Sequence, residues 1–202
     1  MKEVIVIGAG LAGSEAAWQL ANRDIKVKLY EMRPKKMTDA HKTELFGELI
    51  CSNSLRAKSI ENAIGLLKAE MRQFNSIIME AADNSAVEGG GALAVDRTIF
   101  GNYITDKIKN HPNIEIITEE LTELPEGPVI CASGPLTSDD LSKSIGEFFG
   151  KDYLYFFDSV APIVTIESVN KDIAYLKSRY DKGEACYYNC PMTEEQFKIF
   201  YN

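Results

Sequence analysis

Apolar and polar positions follow two rhythms along this chain. The run Glu3-Val-Ile-Val-Ile7 is short, β-branched and apolar at successive positions, the pattern of a strand buried on both faces. Glycines follow at 8, 10 and 13, after which Ser14 to Ala21 carries the helix formers Ala, Glu, Trp, Gln and Leu. A second β-rich run, Lys26-Val-Lys-Leu-Tyr30, ends at Glu31. Strand, glycine turn, helix and strand make a βαβ unit, so the expected fold is α/β and Rossmann-like, around a parallel sheet.

From Arg33 to Arg56 the periodicity fades and polar residues dominate, apart from Leu45–Cys51, which predicts a long functional loop with one helical turn. Ile64, Leu67, Met71, Phe74, Ile77 and Ile78 recur at spacings of three and four, predicting one amphipathic helix over 61–82. A short strand at Ala92–Val95 and a helix marked by Ile99, Tyr103, Ile104 and Ile108 follow, the latter ending before Pro112. Residues 113–118 and 128–132 read as sheet strands, and Thr137 or Ser138 as the cap of a helix through Phe149. Asp139 and Asp140 suit the positive end of that helix and Gly150 its stop.

After Gly150 the character changes. Tyr153–Phe157 and Ala161–Ile166 read as strands, followed by a charged helix over Lys171–Lys182, a Cys186–Cys190 segment and a last helix opened by a Thr193/Gln196 capping box. The expected division is a nucleotide-binding domain over 1–150 and, over 151–202, the truncated beginning of a second, α+β domain.

Composition narrows the setting. With 202 residues, 45% apolar and 26% charged, the chain is an ordinary globular sequence and not a fibre or low-complexity segment. Near its start the longest apolar stretch is Val4–Ile7, far below the ~20 residues a bilayer demands, so neither export nor membrane insertion is expected. Four cysteines, Cys51, Cys131, Cys186 and Cys190, without a signal peptide indicate reduced thiols and a cytoplasmic setting. A net charge of −8 opposes nonspecific nucleic-acid binding. The charge is uneven, however: residues 22–72 hold eleven Lys/Arg against seven Asp/Glu. A polyanion is therefore expected at the 33–58 region, near Arg33, Lys35, Lys36, Lys42, Arg56 and Lys58.

The glycine motif specifies a ligand class. Gly8 permits the turn out of the strand, Gly10 lets backbone approach a pyrophosphate, and Gly13 allows close helix–strand packing, while the turn and helix start at Ala9, Leu11 and Ala12 offer N–H groups to the anion. Glu31 stands where an acid accepts hydrogen bonds from the adenosine ribose and disfavours a 2′-phosphate. Arg33, two residues on, joins this cofactor-binding set. FAD and NAD present the same ADP half. The N-terminal position of the motif, with a later strand ending Cys131-Ala-Ser-Gly-Pro135, is similar to two-dinucleotide flavoproteins of the glutathione-reductase type and favours FAD.

Gly47-Glu-Leu-Ile-Cys-Ser-Asn-Ser-Leu-Arg56, together with Tyr30-Glu-Met-Arg-Pro34, Ala94-Val-Asp-Arg97, Ala161-Pro-Ile-Val164, Ser178-Arg-Tyr-Asp-Lys-Gly183 and Asn189-Cys-Pro-Met192, resembles the folate-dependent tRNA (uracil-5-)-methyltransferase family TrmFO across essentially the whole chain. Family members are considerably longer, so the chain reads as an N-terminal fragment. The resemblance implies transfer of one carbon from 5,10-methylenetetrahydrofolate to C5 of the T-loop uridine of tRNA, with FAD as cofactor and NADH or NADPH as reductant. It also implies a cysteine near flavin and tRNA, because a thiolate adding to the uracil ring activates C5. Cys51, in the locally basic loop beside Lys42, Arg56 and Lys58, is the catalytic candidate. The resemblance implies that the cysteine attacking the uracil ring is a later one not visible in this sequence, which leaves Cys51 to attack uracil, guard the flavin or shield a reactive adduct; its other reading is a buried loop thiol.

The remaining candidates have plainer readings. Cys186 and Cys190 lack two further ligands, so no metal site is expected and packing is the default. Cys131 reads as core and His111 as structural, while His41 is a candidate contact to phosphate or folate. Gly89-Gly-Gly91 reads as a plain turn or as a close approach to flavin or folate. Two competing functions are a generic FAD- or NAD-dependent oxidoreductase and a noncatalytic fragment of the methyltransferase.

Overall fold

Parallel pairing sets four strand ends in one row. In the computed structural model, which describes residues 3–150, 164–178 and 184–201, β1 (Glu3–Ile7) pairs with β2 (Lys26–Tyr30) on one side. The register runs from Glu3↔Lys26 to Ile7↔Tyr30. Strand β2 is reached from β1 through α1 (Leu11–Ala21). Between β2 and the next sheet strand lie β3 (Ser54–Ala57), α2 (Ala63–Gln73), α3 (Ile77–Asn84), β4 (Ala86–Val87), β5 (Ala92–Val95) and α4 (Arg97–Lys109). Then β6 (Ile114–Ile117) joins β2, with Tyr30 opposite Ile117, and β7 (Val129–Cys131) joins β1, with Ile7 opposite Cys131. The strand order β6-β2-β1-β7 is that of a Rossmann-like α/β sheet, as expected.

Strands β3, β5 and β4 form a separate antiparallel sheet in that order. The core lies where α1, α3 and α4 meet the parallel sheet. Val6, Val27 and Leu29 from the strands, Ala17 from α1, Ile77 and Ala81 from α3, and Phe100, Ile104 and Ile108 from α4 share one buried cluster. Helix starts are fixed locally. Asp96 accepts hydrogen bonds from the N–H groups of Thr98 and Ile99, both at 2.9 Å, and Ser76 caps α3 through the Met79 N–H. Glu15 of α1 binds the same α3 terminus, accepting from Ser76 Oγ at 2.7 Å and from the Ile78 N–H.

The helix expected over 61–82 is two helices. Asn75, at φ +54°, breaks the run and Ser76 restarts it. The expected apolar stripe is buried only in α3: Leu67 is 55% and Phe74 66% exposed. What α2 buries is Gly65, whose missing side chain admits the Ser59 carbonyl, and Lys68, whose Nζ donates to the carbonyls of Ala57 and Ile64. The long loop supplies β3 at its end, paired with β5, where no strand is anticipated.

Beyond α5 (Asp139–Phe149), Gly150 ends the helix at φ +62°, as its spacing predicts. The Tyr153–Phe157 strand and the start of the Ala161–Ile166 strand lie outside the described residues. Val164 and Thr165 carry no ladder pairing, and a 3-10 turn follows at Ile166–Ser168. The charged helix over 171–182 is not formed in its described part. Instead β8 (Tyr175–Lys177) pairs antiparallel with β9 (Tyr187–Asn189), Leu176 lying opposite Tyr188 and the Asn189 amide donating to the Lys177 carbonyl. The sequence there offers no apolar helical stripe, whereas Tyr and Leu favour a pleated pair. The last helix, α6 (Glu194–Tyr201), opens with the anticipated capping box: Thr193 N–H donates to Gln196 Oε1 and Gln196 N–H to Thr193 Oγ1. Cys131 is exposed and not core, because β7 is the last strand of the described sheet and its apolar pattern overstates burial there. Among the described residues no helix is long and apolar enough to cross a membrane.

A side chain at Gly13 has no room: its Cβ would lie 1.7 Å from the Gly8 carbonyl oxygen. Gly13→Ala is expected to lower the unfolding free energy by about 3 kcal/mol or more, since rigid backbone must shift to relieve the clash. Denaturant unfolding of the variant checks this.

Candidate functional site

The ladder continues one residue past each strand and shapes a crevice. Gly8 N–H donates to the Tyr30 carbonyl at 2.8 Å, Glu31 N–H to Ile117 at 3.1 Å, and Ala132 N–H to Ile7 at 2.9 Å. The chain therefore leaves all four strands on the same side, and the strand order reverses beside β1, where β2 and β6 follow on one side and β7 lies on the other. Ligands of open α/β sheets bind at such a switch point. The crevice encloses about 550 Å³, open to solvent, and is lined by Gly8, Gly10, Glu31, Arg33, His41 and Ser133 among others.

Each glycine position has a physical reason. Gly8 adopts φ +93°, and a Cβ there would strike the Ala132 carbonyl and Ser133 Cα at 2.9 Å. Gly10 differs: nothing lies within 4 Å of where its Cβ would be, so the space beside it stays open. Gly10 also begins α1 without a side-chain cap, and the first turn holds no acidic residue. The N–H groups of Leu11, Ala12 and Gly13 precede the first residue whose N–H bonds back to Gly10, at Ser14. Such a terminus is a positive, donor-rich wall suited to an anion.

Glu31 forms the opposite wall and is only 6% exposed. Its Oε2 accepts the Ala9 N–H at 2.8 Å, which ties the acid directly to the glycine turn. The remaining bonds come from Arg33: its N–H (3.0 Å) and Nε (2.9 Å) on Oε1, and its Nη2 (3.2 Å) on Oε2. Burial pushes the Glu31 carboxyl up, but the Arg33 hydrogen bonds and charge, with the Ala9 N–H, outweigh it and hold the group below the usual carboxylate range. Glu31 is thus an anion in the crevice wall.

Arg33 stands elsewhere than a phosphate-facing cation would. It is 3% exposed, and its Nη1 donates to the carbonyls of Thr43 (3.3 Å) and Leu45 (3.2 Å) and to Glu48 Oε2 (3.1 Å). The guanidinium is consumed internally, so Arg33 also leaves the set of cations available to a polyanion. Lys36 is paired with Glu120 at 2.6 Å, whereas Lys35, Lys42, Arg56 and Lys58 remain exposed. His41 lines the crevice with Nδ1 2.7 Å from Thr38 Oγ1, and burial and the Arg33 charge push its pKa down.

The segment leading to Cys51 is anchored to the same turn. Gly47 N–H donates to the Ala9 carbonyl at 2.8 Å, and Phe46 and Leu49 are buried beside it. A Cβ on Gly47, at φ +64°, would sit 2.6 Å from Ile104 Cδ1. Cys51 itself is exposed, four residues beyond the contact, and Val95 N–H donates to the Asn53 carbonyl just after it. Lys42, expected near the thiol, sends its Nζ to the Asp39 carbonyl. His111 meets Trp18 edge-on at 5.4 Å between centroids and accepts the Asn113 N–H, as a structural histidine would. The glycines at 89–91 make a turn whose Gly89 carbonyl accepts Tyr187 Oη at 2.8 Å. Sequence reasoning missed Glu48, Glu119–Leu121 and, as crevice residues, Thr137, Ser138 and Leu141. Those at 119–121 were findable, since they directly follow a strand whose end faces the crevice.

Because the Glu31 carboxyl is depressed in the folded chain, its contribution to stability is complete above the ordinary value of 4.5 and is lost as pH falls through the folded pKa. Glu31→Gln is expected to be less stable at neutral pH by about 3 kcal/mol, as breaking a buried pair strands its partner. The gap to the parent narrows on acidification below 4.5. Glu80 and Glu120 are also depressed, by Tyr103 and Lys36 hydrogen bonds first, so the difference between the two proteins is the informative quantity. Urea unfolding across the acid range measures it.

Comparison with known proteins places this geometry in a lineage. The chain is 62% identical over 202 residues to a protein from Exiguobacterium sibiricum named "Methylenetetrahydrofolate--tRNA-(uracil-5-)-methyltransferase TrmFO", covering all of this chain and 46% of that protein. Proteins of the same name from Bacillus licheniformis and Listeria monocytogenes are 63% and 61% identical over 98% and 99% of the chain. The chain spans 46% of the length of these relatives. Among solved structures, GidA of Aquifex aeolicus superposes with a TM-score of 0.50 at 20% identity, over 62% of this chain and 20% of that one, a likeness of fold. The family profile described as "Glucose inhibited division protein A" matches residues 3–202, and the chain belongs to that family.

Proposed function

We propose that residues 3–150 bind the ADP half of FAD, as the dinucleotide-binding part of an enzyme that transfers one carbon from 5,10-methylenetetrahydrofolate to C5 of the T-loop uridine of tRNA, with NADH or NADPH as reductant. The observation that carries the reading is the pairing, across one crevice, of an uncapped helix start beside the open space at Gly10 with the anionic Glu31 on the Ala9 N–H. The residues present fit the cofactor. The N–H groups of Leu11, Ala12 and Gly13 would hold the pyrophosphate, and Glu31 would accept from the ribose hydroxyls. A 2′-phosphate would face that carboxylate and be repelled. When bound, FAD supplies the hydride that reduces the transferred carbon to a methyl group.

The names of the close relatives support the substrate assignment. Cys51 is the proposed catalytic cysteine, which attacks the uracil, guards the flavin or shields a reactive adduct: it is exposed, and it stands on a segment fastened to the glycine turn through Gly47. Lys35, Lys42, Arg56 and Lys58 are the proposed contacts to the tRNA backbone, since they remain exposed on that stretch.

Two substitutions separate fold from ligand and ligand from chemistry. Gly10→Val fills open space at a φ of −70° that valine adopts. It should cost about 1 kcal/mol, the loss of a good helix-start residue, while abolishing the visible flavin absorbance of the purified protein. An unchanged flavin spectrum in this variant contradicts the reading. Cys51→Ala, made in the full-length protein, should keep bound FAD and lose ribothymidine formation, measured by nucleoside analysis of a tRNA substrate. Parental turnover would remove Cys51 from the chemistry.

A further inference from the structure

This inference rests on the crevice being a dinucleotide site. Four N–H donors converge on the two oxygens of Glu31, which fills the roughly four lone-pair directions a carboxylate has. A ribose diol that donates to Glu31 must displace one of them. The longest is Arg33 Nη2 at 3.2 Å. The opposite edge of the same guanidinium holds Thr43, Leu45 and Glu48, and Glu48 in turn accepts the N–H groups of Lys42 (2.9 Å) and Thr43 (3.3 Å). One buried cation is thus fastened on one edge to the crevice acid and on the other to the segment that leads to Cys51.

We propose that Arg33 is a positioning residue that couples occupancy of the ribose subsite to the order of residues 42–48, and so to the placement of Cys51. The Nη2 released from one oxygen of Glu31 becomes a buried donor without an acceptor, so the guanidinium, still paired through Nε to the other oxygen, closes further onto Glu48 and the two carbonyls. The segment between them tightens. Lysine cannot substitute, because a single ammonium with three hydrogens does not span two carboxylates and two carbonyls lying on opposite edges of a planar fork. Coupling of this kind is reciprocal: the segment that gains order on ligand binding also raises the affinity for that ligand. The device delays full assembly of the Cys51 segment until the nucleotide is seated.

Hydrogen–deuterium exchange tests this, with ADP-ribose as the probe, because it carries the pyrophosphate and the adenosine diol but no isoalloxazine that could shield Cys51 directly. Binding is measured separately by calorimetry, and all exchange is recorded at saturation. In the parent protein, ADP-ribose should slow exchange of the amides at 42–47 by at least about fivefold and change the rate of Cys51 alkylation by iodoacetamide. Arg33→Lys should bind more weakly and, once saturated, show neither effect. Glu48→Gln leaves the Glu31–Arg33 bonds intact, so by the same reciprocity it should bind more weakly than the parent only by the lost coupling and, once saturated, show little slowing. It keeps the test sound if Arg33→Lys fails to fold. Slowing of parental size in either saturated variant, or its absence in the saturated parent, overturns the coupling. Failure of ADP-ribose to bind the parent overturns the dinucleotide reading on which the coupling rests.

Discussion

The contact between the Glu31 carboxylate and the Ala9 N–H is the hinge on which the site is built. It joins the end of β2 to the turn that leaves β1, and it places a negative charge opposite the positive start of α1. An isolated carboxylate at 6% exposure would protonate or refuse burial. Arg33 prevents this by presenting its fork to both oxygens, and Glu48 balances the second edge of that fork. The acid–cation–acid chain adds little net stability, since buried pairs recover little more than the desolvation they cost.

Parallel register does the complementary work. Because Ile7, Tyr30, Ile117 and Cys131 align, every loop that follows a sheet strand opens onto the same crevice. Only residue types that tolerate that crowding fit the turn itself: Gly8 sits against the Ala132 backbone, and Gly13 lies against Gly8. Helices α1, α3 and α4 then bury one face of the sheet and fix the turn from behind. The Cys51 segment uses the same anchor, through Gly47 on the Ala9 carbonyl and Phe46 on Thr105 Oγ1.

Much of this was legible in the residues. The run from Glu3 to Glu31 states strand, turn, helix and strand so plainly that β2 has the bounds its pattern predicts, and the Gly150 stop and the Thr193–Gln196 capping box are local chemistry that tertiary structure does not override, whereas Ser138 starts α5 without a side-chain cap and Thr137 turns its hydroxyl to the Gly134 carbonyl. Periodicity misled where it spanned a break: Asn75 in a left-handed conformation cannot be read from the spacing of Met71, Phe74 and Ile77. It also misled about depth, since Cys131 and Leu67 occupy apolar patterns without being covered among the described residues. The role of Arg33 was invisible for another reason. Its partners at 43, 45 and 48 sit in a polar stretch with no rhythm, and only the folded loop shows that a cation expected to face phosphate is enclosed by carbonyls and two acids.

The proposed occupant of the crevice between α1 and Glu31 is an adenine dinucleotide. A crystal structure of the protein with FAD measures this directly. Pyrophosphate oxygens are expected on the N–H groups at the start of α1 and both adenosine ribose hydroxyls on Glu31, with Arg33 drawn toward Glu48. A cofactor seated elsewhere, with Glu31 keeping all four of its present donors, would contradict it.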